Sequence, residues 1–167
     1  AVVKILTDLA ATTGVARPIA VRAIVDQAFA GYGGALAPQN DAWRQLAFEF
    51  LSERAVHLLE RRGFRYDEIR AALPADPSTL VPYDLMRRVQ ALAQARKTDG
   101  FEALASLFKR VKNITLQFAA SSPSLEGFQA LRGVLSEPAE VTLVTELEGR
   151  WPRIDKALHD ERFLDAL

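Results

Sequence analysis

The sequence predicts an all-α protein, an irregular bundle of about seven to nine helices. Three observations carry that expectation. Apolar residues recur at helical spacing in nearly every segment. No segment alternates apolar and polar residues over strand length beside hairpin turn chemistry. Glycine and proline fall where helices should begin and end. The 167 residues are 49% apolar and 25% charged, ordinary values for a globular chain. A chain of this length buries roughly 70% of its unfolded surface on folding, so it suits a single helical domain spanning residues 1–167.

The elements follow in order. Val2, Ile5, Leu6 and Leu9 share one face of a first helix, which Thr12-Thr13-Gly14 ends. Pro18 sits where a first helical residue would, since its missing N–H is an orphan there anyway. Ile19, Ala23, Ile24 and Ala28 form the next stripe, and Gly31, Gly33 and Gly34 stop it. Asn40 or Asp41 can cap a long third helix running to Arg62. Its apolar positions, among them Trp43, Leu46, Phe50, Leu51 and Leu59, cover more than one face, so it should be the most buried helix. Gly63 can take the left-handed conformation that closes it. A short helix spans Asp67 to Leu73, and a loop spans Pro74 to Ser78. Tyr83 to Lys97 is the next helix, with Leu85, Val89, Leu92 and Arg96 along one side. Asp99 and Glu102 are spaced as a capping box for a helix reaching Phe118. Ser122-Pro123 opens another that closes before Pro138. Val141 to Leu147 also has strand propensity, but Val141, Val144 and Leu147 fit a helical stripe, and Pro152 opens a last helix toward Leu167.

Composition removes several classes of function. There is no cysteine, so disulfides, thiolate metal sites and a cysteine nucleophile are excluded. The two histidines, His57 and His159, cannot by themselves build a zinc site. No apolar run approaches the roughly 20 residues of a membrane-spanning helix. Lys plus Arg equals Asp plus Glu, 21 each, which rules out a strongly basic nucleic-acid binder as a description of the whole chain, and no DNA partner is expected. The neutrality hides an asymmetry. Residues 1–120 carry 16 basic and 12 acidic residues, and residues 121–167 carry 5 and 9. Between Arg54 and Lys112 the balance is 12 to 7. Such separation marks a face for a polyanion, or arises by chance among solvated helix faces. The chain begins at Ala1 inside a helical pattern, which reads as a piece of something larger.

No catalytic constellation stands out. Gly31-Tyr32-Gly33-Gly34 lacks the spacing and the Lys-Ser/Thr of a phosphate loop. His57, between Val56 and Leu58, reads as a partly buried structural histidine. No serine sits in a nucleophile elbow. Asp67 and Glu68 read as first-turn acids facing a helix dipole. The helix around residues 100–118 is more informative. At about 100° per residue, Phe101, Leu104, Phe108, Val111 and Thr115 share the side expected to face the core. Lys109 and Asn113 lie opposite, with Arg110 and Lys112 on the flanks. That face can hold phosphates by charge and read a base edge through an amide, or be an ordinary solvated face. Arg87, Arg88, Arg96 and Lys97 are near in sequence. Arg61, Arg62, Arg65 and Tyr66 surround the helix-ending glycine, where an aromatic among cations could stack on single-stranded bases.

Several of these segments resemble a known family. Arg62-Gly63-Phe64-Arg65-Tyr66-Asp67-Glu68-Ile69-Arg70-Ala71-Ala72-Leu73 resembles a stretch of the beta subunit of bacterial heterotetrameric glycyl-tRNA synthetase. Asp84 to Leu92 is similar to the helix that follows there, and Phe108-Lys109-Arg110-Val111-Lys112-Asn113-Ile114 is the closest match. Glu137-Pro138-Ala139-Glu140 and the run from Ala157 to Leu167 resemble later helices. The likeness covers about residues 45–167 and keeps the order of elements, and residues 1–40 match more loosely.

The resemblance implies the C-terminal part of that subunit, with a helical anticodon-binding domain similar to that of arginyl-tRNA synthetase. Residues 1–40 would then be leading helices, and 41–167 an anticodon-binding-like bundle. The family continues beyond the point matching Leu167, so that bundle would be truncated at its C-terminus. The implied function is binding of the tRNA anticodon arm in support of glycylation. The implied partners are a glycine tRNA, the alpha subunit and the rest of the beta subunit, in the cytoplasm. ATP and magnesium would be used on the alpha subunit, leaving no cofactor, metal or catalytic residue in this segment. The implied RNA contacts are Lys109, Arg110, Lys112, Asn113, Arg87, Arg88, Arg96, Lys97, Arg61, Arg62, Arg65 and Tyr66. Two other readings stay open: a subunit-interface scaffold without RNA contact, and a ligand-sensing helical domain of a regulator, which needs an apolar cavity.

Overall fold

The computed structural model describes residues 1–14, 18–35, 40, 42–118, 132–133, 135–160 and 162–166, with the backbone alone for 114–118. Among these residues there are seven α-helices, one 3-10 turn and no strand, so the protein is all-α as predicted. The chain divides into two compact units, Ala1–Gln94 and Ala95–Leu167.

In the first unit, α1 spans Val2–Thr13 and ends at Gly14, whose φ of +70° suits a residue without Cβ. Its buried positions are Val3 and Thr7, and Val2 and Ile5 are exposed. The expected stripe is therefore only partly turned inward, with Leu6 and Leu9 half-buried. The reason is that Thr7 Oγ1 donates to the Val3 carbonyl at 2.7 Å, so a residue that counts as polar can be buried with its hydroxyl satisfied. Helix α2 spans Val21–Ala30 and starts three residues later than Pro18 suggests. The Val21 N–H donates to the Leu80 carbonyl at 2.8 Å, which satisfies one of the orphan donors of the first turn. Val21 is fully buried and Val25 packs against the same core, while Ala23 and Ala28 of the expected stripe are exposed.

Helix α3 spans Ala42–Arg61, and Asn40 Oδ1 accepts the Ala42 N–H at 3.0 Å. It packs on α1 and α2, and its stripe Phe48, Ala55 and Leu59 is buried. It is not the most buried helix that the apolar count predicts, because Leu46 and Phe50 are exposed and only three of its residues are buried. Two backbone bonds close it: Gly63 N–H to the Glu60 carbonyl at 2.9 Å and Phe64 N–H to the Leu59 carbonyl at 3.2 Å. That is the Schellman arrangement, with Gly63 at φ +89° and Phe64 packed against the cluster holding Leu59. Helix α4, Tyr66–Ala72, follows at once. The buried Glu68 accepts the Arg65 N–H at 3.1 Å, so it works as a cap as well as a first-turn acid.

Asp76 accepts both the Ser78 N–H (2.9 Å) and the Ser78 hydroxyl (2.8 Å), forming a 3-10 turn over Pro77–Thr79. These hydrogen bonds hold the Asp76 carboxyl below the usual range, the backbone donor contributing most. Helix α5, Pro82–Ala95, buries Leu85, Met86 and Val89 with Leu92 packed beside them, as its spacing predicts. The core of this unit joins Val3, Val21, Phe48, Leu59, Ile69, Leu80 and Val89.

In the second unit, α6 spans Phe101–Phe118 and α7 spans Pro138–His159. The helix expected between Ser122 and Pro138 lies largely outside the described residues. Leu104, Phe108 and Val111, expected in the core, are exposed, Phe108 by 68%. Periodicity finds an apolar face without saying what lies against it. Pro152 does not open a new helix but sits inside α7. A proline costs a helix one N–H donor, here toward the Glu148 carbonyl, and its φ remains helical. The buried face shifts across it: Val144 and Ala157 lie about 140° apart around a straight axis.

Candidate nucleic-acid interface

The polar side of α6 is exposed, as is the apolar side opposite it. Lys109 and Asn113 are one turn apart, Arg110 and Lys112 flank them, and all four are exposed. Neither Lys109 nor Arg110 is ion-paired to a described residue. Both cations are therefore available to an outside anion. Arg96 is half-buried with its guanidinium 5.8 Å from the Phe101 ring centroid, and Lys97 is exposed.

The other candidates belong to the first unit, and their neighbours distinguish them. Arg62 Nη2 donates to both carboxylate oxygens of Asp8, at 2.6 and 2.9 Å, so its charge is largely answered within the protein. Arg65 Nε meets Asp67 at 3.3 Å on the surface. Tyr66 is exposed, with Arg70 5.9 Å from its ring. Arg87 lies 5.7 Å from the Tyr83 ring, and with Arg62 and Gln90 it borders a cleft of about 490 Å³ between α1 and α5. Arg88 borders a separate small hollow beside Asp84. Arg61 instead faces a cleft between α1 and α3. Within this unit the structure thus distributes the candidates over several surfaces.

Phe50 and Arg54 on α3 form a cation–π pair at 5.2 Å. Together with Tyr66–Arg70 and Tyr83–Arg87, they repeat one spacing, an aromatic followed four residues later by arginine. On a helix that spacing puts the two side chains side by side, so the signal was present in the sequence. His57, expected to be partly buried, is exposed on the same side of α3, because the core contacts of this helix run through Phe48, Ala55 and Leu59 instead. At the α2–α3 contact, Phe29 and Trp43 pack at 4.7 Å with Arg44 over both rings and bonded to Asp26 at 3.2 Å. That stack ties two helices together.

Cations, amides and planar rings at a surface bind anions and stack on flat apolar groups. Among the described residues no group of three or more His, Asp or Glu side chains could hold a metal ion. No helix among them is long and apolar enough to cross a membrane.

Sequence comparison adds an independent line. The chain is 30% identical to the glycine–tRNA ligase beta subunit of Sodalis glossinidius over 164 residues, 94% of this chain and 23% of the relative. It is 30% identical to that of Moorella thermoacetica over 148 residues, 87% of this chain and 20% of the relative. With that of Acidobacterium capsulatum, identity is 36% over 106 residues, 61% of this chain and 15% of the relative. The chain thus spans between 15% and 23% of the length of these curated relatives. No protein-family model and no solved structure matches it.

Proposed function

From the premise that this chain is related to the beta subunits of glycine–tRNA ligase, we propose that it is a tRNA-binding helical segment of such a subunit. It holds the anticodon arm while glycine activation, with its ATP and magnesium, proceeds on a separate alpha subunit in the cytoplasm. The observation that carries this reading is the exposed polar face of α6, where Lys109, Arg110, Lys112 and Asn113 stand together on a relative of a tRNA-charging enzyme. The mechanism is binding. Lys109 and Arg110 neutralise phosphates, and the Asn113 amide is placed one turn away to meet a base edge.

The test is titration of this chain with a glycine tRNA anticodon stem-loop and with a stem-loop mutated in the loop. Tighter binding of the cognate loop, weakening with salt, supports the reading. Equal affinity for both, or none for either, overturns it. A second reading has a specific observation behind it. The exposed stripe of Leu104, Leu107, Phe108 and Val111 suits a subunit interface, here with the remainder of the synthetase. Under that reading, substituting the stripe with serine would abolish assembly and leave stem-loop binding intact.

A further inference from the structure

The outer face of α3 carries Phe50, Arg54, His57 and Arg61 at i, i+4, i+7 and i+11, which places all four within about 60° around the helix. This stripe borders a cleft of about 350 Å³ against the start of α1, where Lys4 supplies a further cation. The floor is apolar, formed in part by Leu51 and Leu58. None of Lys4, Arg54 and Arg61 is ion-paired to a described residue. The acids on this stretch, Glu53 and Glu60, each precede an arginine by one residue. Each lies about 100° from that arginine and about 40–60° beyond His57, the near edge of the stripe, and neither borders the cleft.

We infer that this cleft seats one unpaired nucleotide of the bound RNA, its base against Phe50 and the apolar floor and its flanking phosphates on Arg54, Arg61 and Lys4. The inference rests on the RNA-binding reading above and adds a second contact, in which Phe50, Arg54 and Lys4 join Arg61, already among the contacts the resemblance implies. Size decides part of it. A volume of about 350 Å³ lies at the small end of ligand sites, enough for one base with its sugar. Chemistry decides the rest. Phe50 is 55% exposed although Arg54 lies over it, so the ring offers apolar surface beside a guanidinium. A paired base keeps its faces inside the helical stack, so only an unpaired one can lie against a protein ring. An acidic peptide would answer the cations and leave the ring and floor in water.

The test is anisotropy titration of a glycine tRNA transcript over a range of salt, with the wild-type chain, Phe50→Ala, and the pair Arg54→Gln/Arg61→Gln. Phe50 and both arginines are exposed, so melting curves should show all three proteins folded. The paired substitution should weaken binding about tenfold or more and flatten the salt slope by about 0.7 for each lost phosphate contact. Phe50→Ala should weaken binding about fivefold or more with the slope unchanged. Irradiation of the wild-type complex with a 4-thiouridine transcript should place adducts on the stretches 1–4 or 50–61, which needs no substitution. If the wild-type chain binds the transcript while both variants bind equally well and adducts fall elsewhere, the cleft proposal is wrong and the RNA reading stands. Polyglutamate displacing the transcript from the cleft as effectively as single-stranded RNA would overturn the nucleotide in favour of charge alone. Failure of the wild-type chain to bind the transcript at all would remove both.

Discussion

Gly63→Ala isolates the conformational cost of one turn. The residue sits at φ +89°, where an L side chain is strained. A Cβ built there meets no atom within 4 Å, so crowding adds nothing. The cost is therefore that of the left-handed backbone, about 1–2 kcal/mol. For a unit the size of Ala1–Gln94 this corresponds to a fall in Tm of about 5–10 °C. If the strain also opens the two closing bonds at Glu60 and Leu59, each adds about 1 kcal/mol. Gly149→Ala is the matched control. Gly149 lies within α7, its Cβ would also meet nothing, and its φ is not positive. There the same substitution should stabilise by about 0.5–1 kcal/mol. Urea denaturation followed by circular dichroism measures both. A Gly63→Ala protein as stable as wild type, or equal losses at the two sites, would refute the reasoning.

Ile69 has no exposed surface, so Ile69→Ala should cost about 2–5 kcal/mol, whereas Phe108→Ala should change stability by no more than about 0.5 kcal/mol. Chemical denaturation of the two variants checks that contrast, and a large loss at Phe108 would mean that the residue is packed. Because the folded pKa of Asp76 is depressed, the stability it contributes is present above the ordinary carboxylate pKa and is lost as pH falls below about 4. Thermal melts of Asp76→Asn between pH 3 and 7 should therefore show a weaker acid dependence than wild type. Lys109→Ala and Arg110→Ala should weaken all anticodon stem-loops alike and reduce the salt slope by about 0.7–0.9 each. Asn113→Ala should instead narrow the gap between cognate and mutated loops by about 1–3 kcal/mol. Lowered Tm with discrimination intact would reassign that amide to a structural role.

What could be read from the sequence was what local chemistry decides. The Gly63 turn, the Asn40 cap and the Leu85–Val89 stripe each depend on residues within one or two turns, and all three stand in the structure. Faces that depend on a partner were less legible. Thr7 is buried because its hydroxyl bonds back to Val3, and an apolar count scores it as polar. Phe50 is exposed although it reads as core, because the core-facing side of α3 runs through Phe48, Ala55 and Leu59. In the candidate site, Lys109 and Asn113 are exposed, but so are Leu104, Phe108 and Val111 on the opposite side, so the core-facing stripe from which an outward turn was expected is not what exposes them. The Phe50–Arg54 spacing was also present in the sequence, but its cleft was not legible there, because Lys4 reaches that surface from a helix some fifty residues away in sequence.

The hydrogen bond from the Val21 N–H to the Leu80 carbonyl joins positions nearly sixty residues apart. Helix α2 has only ten residues, shorter than an isolated helix needs to persist in water. Its first turn is completed by a backbone group that reaches position only after α3, α4 and the 3-10 turn are in place. In kinetic terms, α2 closes one of the longest loops of its unit and cannot belong to an early, local nucleus. Helix α2 and residues 77–80 then open as one cooperative piece, and their slowly exchanging amides should share a single opening free energy under native conditions.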